Sequence, residues 1–145
     1  MGNAIRIHAT GGPEVLSWEA FEVGDPGPSE VRIRHSAVGL NYIDTYHRGG
    51  LYPLELPSGI GLEAAGVVEA VGSEVDDLAI GDRVAYASGP LGAYSEARLM
   101  PAARVVRLPE EVDVGTAAAA MLKGLTAWYL LRRTYHVAAG ETILF

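Results

Sequence analysis

Apolar and polar positions alternate through the first hundred residues, and glycine or proline breaks the alternation at short intervals. In "NAIRIHAT" the pattern sets Ala4, Arg6 and His8 against Ile5 and Ile7, which predicts a strand ended by "GGPE". "VLSWEAFEV" predicts a second strand, and "GDPGPSE" a turn that neither neighbour can absorb. "EVRIRHSAVGL" puts Val31, Ile33, His35 and Ala37 on one face, Arg32, Arg34 and Ser36 on the other. "GVVEAVG" is more continuously apolar and predicts a strand buried on both faces. "AIGDRVAYAS" and "GAYSEARLM" supply further strands, and "ARVVRLP" a short last one. Many short strands set off by turn residues predict a mainly β domain, a barrel or a sandwich.

After Pro109 the period changes. "EEVDVGTAAAAMLKGLTAWYLLRRTYHV" is rich in alanine and leucine and predicts helix, with Asp113 as its N-cap. Gly124 is expected to split this run into two helices joined at "LKGLT", and Gly140 to close the second. "ETILF" then predicts the start of another strand. There is no internal repeat.

A chain of 145 residues with 49% hydrophobic and 20% charged residues has the size and composition of one folded domain. The formal charge of −7 argues against nucleic acid as a partner, since phosphate contacts need a basic surface. Arg132 and Arg133 are expected to complement a helix C-terminus instead. With no cysteine the sequence offers no disulfide, no thiolate nucleophile and no thiolate-bound zinc. No secretory signal is visible, and no charge-free apolar run of about 18 residues predicts a membrane span. A soluble, cytoplasmic protein is the expectation.

Candidate chemistry sits in two stretches. In "GLNYIDTY", Asn41 stands where a helix N-cap would, and Asp44 follows at capping-box spacing. Tyr42 and Tyr46 share one helical face, and Tyr52 follows in "GGLYP". Such phenols suit the wall of a wet cleft or a partner interface. In "GIGLEAAGVVEAVG", Glu63 is a lone acid in an apolar run, to be paired or turned to solvent by the pleat. Lys123 is read as an exposed lysine at a helix end in preference to a catalytic acid.

Taken in order, "GLNYIDTYHRGGLYP", "LPSGIGLEAAGVVEAVGSEV", "IGDRVAYAS", "GAYSEA" and "LKGLTAWYLL" resemble the N-terminal half of the medium-chain dehydrogenase/reductase superfamily. The similarity is to its quinone oxidoreductase, zeta-crystallin-like branch, and runs the length of the chain. Its most specific elements are Gly61 to Val67, with Glu63 and Gly66 in place, and "GDRV" at Gly81 to Val84. The resemblance implies a GroES-like, partly open β-barrel with short helices as catalytic domain over residues 1–110. Residues 111–145 would then be helices leading into the first strand of a Rossmann domain.

The zinc-dependent branch carries cysteine at the position of Asn41 and histidine at that of Leu62. An amide and an aliphatic side chain do not hold zinc, so no metal is expected. The resemblance implies hydride transfer from NADPH, and without a metal the fitting acceptor is a quinone or activated enone, which needs no Lewis acid. The resemblance places Asn41, Tyr46 and Thr126 beside the nicotinamide, and Tyr52 and Asp44 nearer the acceptor as catalytic groups. The whole protein would be a homodimer. No G-x-G-x-x-G is present, so the nucleotide-binding half is expected to be absent and the chain inactive by itself. A stand-alone GroES-like binding module is the other reading.

Overall fold

Alternating β-branched residues make the strands, and the bulges between them decide which faces meet. The computed structural model describes residues 2–144. Eight strands are present: β1 (Gly2–Ile7), β2 (Ser17–Phe21), β3 (Glu30–Gly39), β4 (Ser58–Gly59), β5 (Glu63–Val71), β6 (Arg83–Ala87), β7 (Ala97–Pro101) and β8 (Val106–Arg107). They pair antiparallel in two sheets, ordered β2-β1-β4 and β7-β3-β5-β6-β8. Ala4 of the first sheet bridges to Ser95 in the segment leading into β7, and neither sheet closes on itself. The result is the mainly β architecture that the strand pattern implied, built of open sheets as the resemblance to a GroES-like, partly open barrel led one to expect.

The main core lies inside the larger sheet, where Val31, Ile33, Val68, Val84, Tyr86 and Met100 are shut off from solvent. In β1 the buried residues are Ala4 and Ile7, not Ile5 and Ile7. The reason is the bridge between Ala4 and Ser95, while Ile5 lines a surface groove with Trp18 and Tyr94. In β5 continuous burial falls on Glu63–Gly66, starting three residues before the expected "GVVEAVG". There the strand has β3 and β6 on its edges, and a helix crosses one of its faces.

Tyr86 and His35 share a polar contact inside the core. His35 Nδ1 lies 2.7 Å from the Ser95 carbonyl and Nε2 lies 3.0 Å from the Tyr86 hydroxyl. The carbonyl can only accept, so Nδ1 carries the proton and Nε2 accepts from the phenol. Burial pushes His35 down to about 4, aided by the Arg98 guanidinium and opposed by the Ser95 carbonyl. Burial likewise pushes the Tyr86 phenol up to about 12. Between pH 6.5 and 4 the unfolded chain takes a proton on His35 that the folded chain refuses, so stability falls with acidification. The loss attributable to His35 should reach roughly 3 kcal/mol at the acid end of that window. Urea midpoints at several pH values, compared between the chain and His35→Leu, read it: the variant should lack this slope.

Two helices complete the fold, α1 (Tyr42–Gly49) and α2 (Val114–Tyr129). Asp113 caps α2 as expected, its Oδ1 accepting from the Thr116 N–H at 3.0 Å. Gly124 does not split the helix. A single interior glycine costs only about 1 kcal/mol, less than packing of Ala117 and Ala118 against Ala65 and Ala85 returns. A methyl group at Gly124 would meet nothing within 4 Å. Gly124→Ala should therefore raise stability by about 1 kcal/mol in a denaturant titration.

The irregularity comes later, as a π turn over Leu130–Thr134. Gly140 ends no helix; it sits in a turn with φ +88°. Residues 141–144 form no strand, because no neighbouring strand offers them a ladder, and Phe145 lies outside the described residues. By length and composition alone, Val114–Thr134 is apolar enough to cross a membrane, but it carries Lys123, Arg132 and Arg133 and so is not the charge-free run that the sequence was searched for. Its packing across β3, β5 and β6 gives it a different setting.

Candidate active-site cleft

Glu63 opens β5 and is completely buried. A carboxylate cannot sit there unless its lone pairs are taken. They are. Asn41 Nδ2 donates to Oε2 at 2.9 Å, Lys123 Nζ to Oε2 at 2.8 Å, and the Leu122 backbone N–H to Oε1 at 2.6 Å. One carboxylate thus ties the N-cap of α1, the start of β5 and the middle of α2 together. Solvation through the pleat, one of the sequence alternatives, does not occur. Lys123 is likewise not a helix-end lysine but the mid-helix counter-ion of Glu63.

Close backbone approach makes this possible. At Gly39, the end of β3, an added Cβ would lie 2.2 Å from the Ala118 carbonyl oxygen and 2.4 Å from Glu63 Oε2. Glycine is needed there for space.

Asn41 is extended, the ordinary N-cap conformation. Its side chain goes to Glu63, so the cap is supplied from the other end: Asp44 Oδ2 accepts from the Asn41 N–H at 2.9 Å. The same oxygen accepts from the Tyr94 hydroxyl at 2.8 Å. Burial, followed by that hydrogen bond and the Asp44 charge, holds the Tyr94 phenol well above its usual range. Tyr94 therefore stays a donor. Asp44 is 4% exposed, and its carboxylate orders the entry into α1.

A largely apolar cleft opens between α1 and α2, lined by Asn41, Tyr42, Lys123, Thr126, Ala127 and Leu130 among others. Of the five residues singled out from sequence, Asn41 and Thr126 meet in it. The Thr126 hydroxyl donates to the Leu122 carbonyl at 2.8 Å, which leaves its oxygen free to accept. Tyr46 and Tyr52 stand beside the cleft, reached through Tyr42. Edge-to-face contacts run from Tyr42 to Tyr46 at 5.2 Å and from Tyr46 to Tyr52 at 5.5 Å between ring centroids. Tyr52 is half exposed and also packs on His47. Asp44 does not line this cleft.

Sequence reasoning missed the Lys123 and Leu122 partners of Glu63. The available signal was the isolation of Glu63 itself, since an unpaired acid in an apolar run calls for a cation.

Chemically, the cleft offers an amide of fixed orientation, a hydroxyl acceptor, one ammonium group and an aromatic border. Among the described residues no cluster of His, Asp or Glu has the makings of a metal site.

Residues 27–110 match the alcohol dehydrogenase GroES-like domain. The chain is 58% identical to a quinone oxidoreductase from Pseudomonas aeruginosa over its whole length, covering 45% of that relative. It is 47% identical to a 2-haloacrylate reductase from a Burkholderia species, covering 97% of this chain and 44% of that one. Among solved structures, Escherichia coli quinone oxidoreductase complexed with NADPH superposes with a TM-score of 0.94 at 48% identity. That match covers 96% of this chain and 43% of the other. The chain therefore spans less than half the length of the relatives it matches.

Proposed function

Because the chain belongs to the alcohol dehydrogenase GroES-like domain family, with quinone oxidoreductases of the medium-chain dehydrogenase/reductase superfamily as neighbours, we propose that it is the catalytic portion of a zinc-independent NADPH:quinone oxidoreductase. Quinones or activated enones are its acceptors. The observation that carries this reading is Asn41, held by a buried carboxylate on the floor of an apolar cleft bordered by tyrosines.

The acceptors of the cleft suit the carboxamide N–H groups of NADPH. Because Asn41 Nδ2 is drawn to Glu63, its Oδ1 is turned away as an acceptor, and Thr126 offers a second acceptor. Ala127 and Leu130 give a flat ring apolar surface. When bound, NADPH supplies the hydride. The chain's residues orient the ring, exclude water and present the acceptor at the same cleft. Tyr46 serves as wall, and Tyr52, half exposed, as hydroxyl donor to the acceptor oxygen. Asp44 acts from behind, fixing the N-terminus of α1 and with it Asn41.

Asn41 and Leu62 supply an amide and an alkyl group where the zinc-dependent branch has metal ligands. That donor chemistry supports zinc independence. An electron-poor acceptor needs no Lewis acid to take hydride. Residues 1–110 form the catalytic domain in this reading, and 111–145 lead toward a nucleotide-binding half. The whole protein is a cytoplasmic homodimer.

Joining the chain to the nucleotide-binding half of the Pseudomonas aeruginosa relative provides the test. NADPH oxidation should depend on added menadione and survive a chelator. Activity with simple alcohols and none with quinones would defeat the reading, as would loss of activity on chelation.

A further inference from the structure

Of the chain's 11 lysines and arginines, Lys123 is the single lysine. It is also the one charged residue among those lining the cleft. Its side chain is 50% exposed, while the Glu63 side chain behind it is 0% exposed. An arginine fork would spread its charge over several nitrogens; an ammonium concentrates it on one atom with three donor hydrogens. One hydrogen points back to Glu63 Oε2 at 2.8 Å. The pair is thus a fixed dipole, its negative end sealed in protein and its positive end facing the cleft.

Asn41 shares the same Glu63 oxygen, so amide and ammonium sit side by side. A group that receives hydride beside Asn41 therefore has Lys123 within reach of its oxygen. We infer that Lys123 is a catalytic residue that donates an N–H to the carbonyl oxygen of the acceptor and stabilises the charge that develops there, with Glu63 as the positioning residue. This rests on the hydride-transfer reading given under Proposed function.

With NADPH bound, a C–H bond of the reduced nicotinamide would break, leaving that ring oxidised, and its electron pair would form a new C–H bond at the conjugated carbon of the quinone or enone. The displaced π electrons move to the carbonyl oxygen, which becomes an oxyanion against the Lys123 ammonium. The Tyr52 O–H bond then breaks as the product O–H forms, and the half-exposed phenolate recovers its proton from solvent.

The uniqueness of Lys123 makes the test direct. In the chain grown with isotope-labelled lysine, one side-chain ammonium resonance is expected. Two probes are titrated: menadione, a neutral naphthoquinone, and the lawsone anion, a naphthoquinone bearing a charged oxygen. Lawsone should shift the ammonium resonance together with the signals of the tyrosine row. Lys123→Met should weaken lawsone binding about tenfold or more while menadione affinity changes by less than about twofold. The uncharged pair Glu63→Gln/Lys123→Met, which leaves no stranded charge, should show the same selectivity if the single variant does not fold. An ammonium signal that stays put while the tyrosine signals move would overturn the role of Lys123 and leave the quinone reading standing. Equal lawsone affinity in the chain and the paired variant would do the same. Binding of neither probe would remove both.

Discussion

Lys123→Met lowers the unfolding free energy of the chain by about 3–5 kcal/mol, because it strands a charge that has no access to water. Glu63 is completely buried, and its carboxylate keeps only two neutral N–H donors, from Asn41 and Leu122, once the ammonium is gone. The asymmetry of the pair is what makes this large. Removing the negative partner instead leaves Lys123, half exposed, free to turn into solvent. Glu63→Gln should accordingly cost only about 1–2 kcal/mol, the loss of charge-assisted hydrogen bonds with the shape retained. Urea titrations of the two variants decide between a structural pair and a surface contact. A cost below about 1 kcal/mol for Lys123→Met would mean that water reaches Glu63.

Gly66→Ala should be as damaging, at about 3 kcal/mol or more, for a reason that has nothing to do with charge. Gly66 pairs with His35 in the middle of the five-stranded sheet, beside the register shift between His35 and Ala37. A Cβ built there would lie 1.9 Å from the Arg34 carbonyl oxygen and 2.8 Å from the His35 Cα. Both are backbone atoms of β3, so no side chain can swing aside. Relief requires β3 to move off β5, and that opens the sheet against which α2 and Glu63 are set. Circular dichroism melts of Gly66→Ala and Gly124→Ala make the contrast: the same methyl group should unfold one chain and firm up the other.

Parts of this architecture were legible beforehand because they depend on neighbours in the chain. Asp113 caps α2 through Thr116, three residues on, and Asp44 reaches Asn41 across the same spacing. Strand alternation located β3 and its inward Val31 and Ile33. Other expectations failed where packing outweighed local preference. The α2 helix runs through Gly124 because the sheet beneath it contributes more than one glycine removes. In β1 burial fell on Ala4 and Ile7, on opposite faces, because the segment before β7 covers Ala4.

The candidate site divides along the same line. Asn41, Thr126 and the tyrosines could be singled out from the family stretches and their spacing. The binding partners of Glu63 could not, since they lie 22, 59 and 60 residues away. A strand pattern tells which residues share a face but not what covers it. By itself, then, the sequence determined the run of short strands, the helix starts and the absence of cysteine for a metal or disulfide. Only the tertiary structure decided that a lone acid would meet the single lysine. Burying a carboxylate selects its partners from whatever the fold brings within hydrogen-bond reach, however distant along the chain.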